Sequence, residues 1–441
     1  VPSAARNLLR VAVSALALLA APRSAHAFCG FYVAQADAKL FNQASQVVLV
    51  RDGERTVITM SNDFKGELTD FALVVPVPAV LERDQIHIGE RKHLEHLDAY
   101  SSPRLVEYFD EDPCQEPVDY DGRMYKSAPT TAAAEKMSSA RSKTLGVTVE
   151  AQYTVGEYDI VILSAKQSDG LETWLRESGY KVPARSSAAL QPYIKQDMKF
   201  FVAKVNVKNQ RAGGFQYLRP LQMAFESKKF MLPIRLGMAN ADGPQDLVIY
   251  TLTRKGRVES TNYRTVKVPS DVEIPGFVKG DFGAFYKALF EQAHEKAGRR
   301  ALLTEYFWDM GWCDPCSADP LSPEELKGLG VFWRDGQSYE TAFLTRLHVR
   351  YDSAHFPEDL VFQETADQQT FQGRYILRHA FQGQAQCSAA KGYWERVNER
   401  REREVQTLAS LTGWSQATIR ERMGKDAPKA KEPTWYQKLW K

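Results

Sequence analysis

The stretch Gln46-Val47-Val48-Leu49-Val50-Arg51-Asp52-Gly53-Glu54-Arg55-Thr56-Val57-Ile58-Thr59-Met60-Ser61 decides the fold class. Two apolar, β-branched runs flank Asp52-Gly53, a dipeptide that tolerates the positive φ of a tight hairpin turn. The spacing therefore predicts an antiparallel pair of strands over 46–51 and 55–61. Residues 70–77 read as a third, largely buried strand, which makes the first piece a β-meander. Pro76 and Pro78 have no N–H to give a ladder, so this strand end is expected at an edge or leaving its sheet.

The same punctuation continues downstream. Short helices are predicted over 90–100 and 103–109, with Pro103 at a first-turn position. Strands follow over 145–153 and 158–165, then helices over 171–178 and 187–196. Further strands are predicted over 199–207, 221–226 and 230–236. A hairpin over 246–253 and 257–266 turns at Lys255-Gly256. Phe282, Phe285, Leu289 and Ala293 recur at helical spacing over 282–296. Strands over 300–307, 341–351 and 371–380 come next, then helices over 393–411 and 415–423. Strands and long helices do not alternate regularly, which argues against a doubly wound parallel sheet. The predicted class is α+β, with mostly antiparallel sheets, interspersed helices and a helical C-terminal segment.

Composition shifts divide the chain into six stretches. Residues 1–27 read as a signal peptide and 28–112 as a β-rich α+β region. Residues 113–144, polar and aperiodic, read as an insertion or linker. A central α+β region covers 145–274 and a cysteine-containing one 275–390. Residues 391–441 form a helical segment with a basic, aromatic tail.

The export reading rests on three features. Arg6 and Arg10 form a positive n-region, residues 11–21 are apolar, and Ala25-His26-Ala27 fits the small-x-small cleavage pattern. Cleavage there leaves a chain opening near Phe28, outside the cytoplasm. No later segment is long and apolar enough to span a bilayer. The formal charge of +2 includes three arginines of that leader. Without residues 1–27, 54 basic residues face 55 acidic ones, and nothing in that balance calls for nucleic acid. Five cysteines, Cys29, Cys114, Cys313, Cys316 and Cys387, then lie in an oxidising compartment where most should pair. Five is odd, so one stays free or bonds another molecule.

Several stretches together resemble one family. They are Phe28-Cys29-Gly30-Phe31-Tyr32-Val33-Ala34, Phe71-Ala72-Leu73-Val74-Val75-Pro76-Val77-Pro78 and Gly156-Glu157-Tyr158-Asp159-Ile160. Gly170-Leu171 with Trp174-Leu175, and Cys313-Asp314-Pro315-Cys316, complete the set. The set is similar to the secreted bacterial proteins grouped as domain of unknown function 2330. The resemblance implies an exported bacterial protein and assigns no activity to any residue.

Candidate chemistry starts at Trp312-Cys313-Asp314-Pro315-Cys316, which is similar to the dithiol site of thioredoxin-like oxidoreductases. In that reading Cys313 attacks and Cys316 resolves. The chemistry needs its first thiol at a helix N-terminus. Pro320 and Pro323 leave no room for a long helix after Cys316. Asp309, Asp314 and Asp319 disfavour a thiolate wherever they stand close to it. Closing a four-residue loop stabilises by only about 2 kcal/mol on the chain-entropy model, against roughly 4–5 for a Cys29–Cys114 bond. Long-range partners for Cys313 or Cys316 among Cys29, Cys114 and Cys387 therefore make better staples.

His93 and His96 stand at i, i+3 on one predicted helix, a spacing that suits metal chelation with His87 or an acid as third ligand. A metal-dependent hydrolase is the reading that follows from them, although His93-Leu94-Glu95-His96 matches no zinc-protease pattern. His348 and His355 near Asp352, with His379, supply parts of a hydrolase triad, but no Gly-x-Ser-x-Gly elbow nominates a nucleophile. No phosphate-binding loop appears, and no motif calls for a cofactor. Trp435, Tyr436 and Trp440, interleaved with lysines in the tail, suit contact with an anionic envelope surface. The leading expectation is an exported envelope protein that binds a partner or ligand, or has a structural role, and does not catalyse. The thiol–disulfide oxidoreductase and the metal-dependent hydrolase are the alternatives.

Overall fold

The computed structural model describes residues 31–34, 41–65, 71–115, 147–178, 186–205, 218–239, 243–312, 318–333 and 342–429. Two large sheets organise them. The first runs β1 (Phe31–Ala34), β4 (Phe71–Val77), β9 (Lys199–Val205), β8 (Tyr158–Ala165), β7 (Val147–Val155), antiparallel throughout. The second runs β14 (Arg264–Lys267), β16 (Ala301–Asp309), β17 (Phe343–Tyr351), β12 (Gln245–Thr253), β2 (Phe41–Asp52), β3 (Arg55–Lys65), β10 (Leu221–Glu226), β5 (Ile86–Ile88), and β19 (Phe371–Gln372) also pairs with β16. It draws strands from the stretches 28–112, 145–274 and 275–390 alike. Two three-stranded sheets complete the set: β11 (Met231–Leu232), β18 (Leu360–Glu364), β13 (Val258–Ser260), and β15 (Val272–Glu273), β20 (Arg374–His379), β6 (Arg104–Phe109). Parallel pairing is confined to β2 with β12, β14 with β16, and β20 with β15 and β6 among the described strands.

The helices are α1 (Arg91–Ser101), α2 (Ser168–Glu177), α3 (Ser186–Lys195), α4 (Arg235–Ala239), α5 (Phe282–Lys296), α6 (Pro323–Gly328), α7 (Ala389–Thr412) and α8 (Gln416–Met423). The α+β class read from the sequence, mostly antiparallel with a helical C-terminal segment, is the class observed.

The quoted hairpin explains the layering. Side chains alternate along a strand, so Val47 and Leu49 face one way and Val48 and Val50 the other. Val47, Leu49, Ile58 and Met60 pack against Leu73, Val75, Ile160 and Phe201 of the first sheet. Val48 and Val50 pack on the far side with Leu94, Leu97 and Tyr100 of α1. On the outer face of the first sheet, Val74, Leu163 and Phe200 meet Leu171 and Leu175 of α2 and Leu190 and Tyr193 of α3. Helices thus flank two stacked sheets. A strand buried on both faces reads as an unbroken apolar run, which is why Val47-Val48-Leu49-Val50 shows no alternation.

Five expectations need correction. Residues 103–109 form no helix: Arg104–Phe109 is strand β6, parallel to β20. Ser102, the residue before Pro103, is extended (φ −63°, ψ 146°), the conformation a following proline favours, so Pro103 ends α1 and starts no new helix. The meander breaks after β3, because β4 joins the other sheet, between β1 and β9. Among the described residues β1 covers β4 from Phe71 to Val74, and the Pro76 end of β4 pairs with β9. The predicted hairpin at Lys255-Gly256 does not close on itself: β12 pairs with β17 and β2, and β13 pairs with β18. The chain crosses between sheets at Gly256, where any Cβ would collide with the Asp367 carbonyl. Residues 230–236 hold only the two-residue β11 before α4 begins at Arg235, and residues 371–380 split at Gly373 into β19 and β20 of different sheets.

Candidate functional site

Where edge strand β5 meets the β7–β8 turn, the two large sheets leave a cleft of about 470 Å³. Its walls come from four separate pieces of chain: His87 to Glu90 with His93, the Val155-Gly156 turn, Arg219, and Gly328 at the end of α6. Close backbone approach shapes it. Gly156 has φ +58°, and a Cβ there would lie 2.8 Å from Arg219 Nη2. A Cβ on Gly328 would lie 2.5 Å from His93 Nδ1. Larger residues at either position would fill the cleft or displace its side chains.

Arg219 is fixed in place. Its Nη2 donates to Glu157 Oε2 at 2.6 Å and its backbone N–H to Glu157 Oε1 at 3.1 Å. Its carbonyl accepts from the Tyr158 hydroxyl at 2.8 Å. Glu157 is buried, so the pair presents a guanidinium edge to the cleft on a rigid mount. The hydrogen bond to Glu157 raises the Arg219 pKa.

The histidines sort by their partners. His96 is held on both ring nitrogens, by Glu325 Oε1 at 2.8 Å and the Asp319 carbonyl at 2.9 Å. His348 lies between Glu305 and Asp246, His355 binds Asp352, and His379 binds Glu107 at 2.8 Å. His294 is buried and stacked with Phe290. Of the seven histidines among the described residues, that leaves His87 and His93, and both line the cleft. Burial lowers the His93 pKa, with Lys92 adding to the effect, so its imidazole is neutral at neutral pH. Its Nδ1 is buried with no hydrogen-bond partner among the described residues. The cleft thus offers neutral imidazole, a guanidinium edge, the Glu90 carboxylate and an apolar wall of Ile88 and Val155. Among the described residues that line it there is no serine, threonine, cysteine or lysine.

The His93/His96 pair therefore divides: His93 turns to the cleft and Gly328, His96 to Glu325. Among the described residues no group of three or more His, Cys, Asp or Glu side chains converges as a metal cage. The pairing of Cys114 with Cys387, Cα atoms 5.6 Å apart, excludes both from a bond to Cys29, Cys313 or Cys316. Cys29, Cys313, Cys316 and the aromatic tail residues Trp435, Tyr436 and Trp440 lie outside the described residues.

A second polar constellation went unread in the sequence. Arg346, His348 and Arg350 alternate along one face of β17. Glu305 is the extra residue in β16 where the register with β17 shifts between Thr304 and Tyr306. Such a bulge re-aims a side chain. Glu305 accepts from Arg346 Nε at 2.6 Å, from His348 Nδ1 at 2.8 Å and from the Tyr286 hydroxyl at 2.5 Å. Arg346 Nη1 reaches Asp98 Oδ1 at 2.7 Å and the Ser102 hydroxyl at 3.1 Å, tying α1 to the sheet. Arg350 grips Asp246 with two bonds of 2.8 Å.

Burial opposes the charge on Glu305, but Arg346 and His348 outweigh it and hold the carboxyl at about 2. Burial likewise works against His348⁺, yet Glu305 and Asp246 raise it to about 9. An imidazolium held between two carboxylates has no free lone pair, so it cannot act as a general base. His348 is thus a strut, not part of a triad.

A pH dependence follows. A histidine whose pKa rises from 6.5 to about 9 on folding stabilises fully below 6.5 and loses that contribution as pH climbs through 9. Melts at about pH 6 and about pH 9.5 should differ by up to about 3 kcal/mol from this group. His348→Asn should flatten the difference, and equal slopes in both proteins would count against the assignment.

A family described as an uncharacterized protein conserved in bacteria, domain of unknown function 2330, matches residues 23–363. The chain belongs to that family. The matched segment of this DUF2330 protein contains every residue lining the cleft and the whole Glu305 network. It ends before α7 and before Cys387. Comparison with curated proteins and with solved structures gives no match.

Proposed function

We propose that this DUF2330 protein is exported to the bacterial envelope and binds a small, hydroxyl-rich ligand, such as a unit of envelope glycan, without transforming it. The observation that carries this reading is the convergence of His87 and His93, the two histidines among the described residues without a hydrogen-bonded carboxylate or a stacking partner there, on one preformed cleft. Its volume lies within the usual range for small-ligand sites of roughly 300–1,000 Å³. Neutral imidazole, a mounted guanidinium and Glu90 supply both donors and acceptors for hydroxyl groups. Ile88 and Val155 suit the C–H face of a sugar ring.

Two further features support export. Residues 1–27 have the tripartite pattern of a signal peptide. The Cys114–Cys387 bond belongs to an oxidising compartment.

Thermal melts of protein recovered from an envelope fraction test the reading, with soluble cell-wall glycan fragments as probe. A ligand at 100 times its Kd stabilises by about 2.7 kcal/mol. The melting temperature of the wild type should rise with probe. His87→Ala, at an exposed position, should melt normally without probe and lose most of that rise. No shift in the wild type, or an equal shift in the variant, would overturn the proposal.

A further inference from the structure

A second cavity, of about 500 Å³, opens where β6 ends against α7. We propose that it binds a phosphate group through the arginines of α7. Arg396, Arg400 and Arg403 stand at i, i+4 and i+7, which places them on one helix face. All three line the cavity, and Arg378 of β20 faces them. Two of the four are already matched: Arg400 holds Asp110 with bonds of 2.8 and 3.2 Å, and Arg378 Nε donates to Glu273 at 2.7 Å. Arg396 and Arg403 are exposed and have no carboxylate partner among the described residues.

The mount is rigid. Asp110 also accepts from the Tyr393 hydroxyl at 2.8 Å, so β6, β20 and α7 are joined at the cavity floor. The Cys114–Cys387 bond fastens the segment after β6 to the start of α7. Arg400 Nε is buried with no hydrogen-bond partner among the described residues; Glu404 Oε1 stands 3.7 Å away. Of the two lining carboxylates, Asp110 is held by Arg400 and Tyr393, and Glu111 at the rim is the one a bound anion would have to avoid.

Guanidinium forks recognise phosphate and carboxylate in preference to other anions. A planar carboxylate is satisfied by one fork from one side. Two forks arriving from different turns of a helix suit oxygens that point in different directions, as the tetrahedral phosphate has. Phe109, 68% exposed and stacked on His379 at 4.6 Å, adds an aromatic platform at the rim for the organic part of a phosphate ester. This inference is independent of the cleft: it rests on other residues, mostly beyond the family-matched segment.

Calorimetric titration of the full chain tests it, with ionic strength held constant by chloride. The probes are inorganic phosphate, glycerol 3-phosphate, and phosphatidylcholine vesicles with and without phosphatidic acid. We expect saturable, phosphate-dependent binding, weakened at least tenfold in Arg396→Gln/Arg403→Gln with an unchanged melting temperature. Binding confined to the soluble probes would identify a free phosphate or its ester as the ligand. Binding confined to phosphatidic acid vesicles would identify a lipid headgroup. No binding in any arm, or equal binding by the variant, would overturn the proposal and leave these arginines as a solvated helix face.

Discussion

Replacing Arg346 with methionine is expected to lower the unfolding free energy by roughly 3–5 kcal/mol, the usual cost of removing one partner from a buried ion pair. Arg346 and Glu305 are both buried, and Glu305 is 1% exposed. Without the guanidinium, Glu305 keeps only His348 and Tyr286, and Asp98 keeps only the Tyr250 hydroxyl of β12 as its side-chain link to the sheet. Glu305→Leu should cost at least as much, because it strands Arg346 and His348⁺ together with no shared anion. The double variant should recover part of the loss, since two apolar side chains leave fewer charges buried unpaired. Urea unfolding followed by circular dichroism gives all four corners of the cycle. A coupling energy near zero, or single losses under about 1 kcal/mol, would show that Arg346 and Glu305 do not act as a coupled buried pair.

This network also marks where sequence reading stops. The alternation over 341–351 was legible as a strand, and the strand exists. Alternation puts Arg346, His348 and Arg350 on one face, but not what faces them. Asp246 and Tyr250 are directly opposite Arg350 and Arg346 only in the β12–β17 register, a pairing across about a hundred residues. Glu305 reaches them only because a one-residue bulge turns it inward, and nothing local in 301–309 announces a bulge. Charge alternating with apolar residues on three strands was the available signal, readable only once their order was known. The hairpin at Asp52-Gly53 was legible for the opposite reason: its turn, its strands and its pairing are contiguous.

The cleft was half legible. His93 was singled out, but for a pairing with His96 that helix α1 does not use. His87 entered only as a third metal ligand. Glycines mark the site better than histidines do. Gly156 and Gly328 are places where side chains approach too closely for a Cβ: Gly156 lets the β7–β8 turn meet Arg219 and β5, and Gly328 lets the end of α6 meet His93 of α1. In sequence Gly156 reads simply as a turn and Gly328 as a helix end, because the atoms that need the space belong to Arg219 and His93.

Removing the Cys114–Cys387 bond is expected to have an effect of similar size. The two cysteines are 273 residues apart. A loop of that length constrains the unfolded chain by about 5.5 kcal/mol on the chain-entropy model, though typical losses are about 2–4 kcal/mol. The native geometry is already prepared. Cys114 follows β6, Cys387 precedes α7, and β6 pairs with β20 in register from Arg104 to His379. Asp110, Tyr393 and Arg400 join the same elements without the bond. The bond therefore acts mainly on the unfolded state, and Cys387→Ser should fold to the same structure with an unfolding free energy lower by about 3–5 kcal/mol. Wild type and variant should melt alike once a reductant is present. Equal melting without reductant would mean that the bond is not formed. Peptide mapping of the native protein then decides the remaining chemistry. With Cys114 and Cys387 paired, Cys29, Cys313 and Cys316 are left, and the long-range staples open to Cys313 and Cys316 shrink to Cys29 alone. A bond from Cys29 to either makes the Cys-Asp-Pro-Cys stretch part of the scaffold. A bond between Cys313 and Cys316 closes a loop worth only about 2 kcal/mol, too small to explain it as a staple, and would make thiol exchange the reading to test.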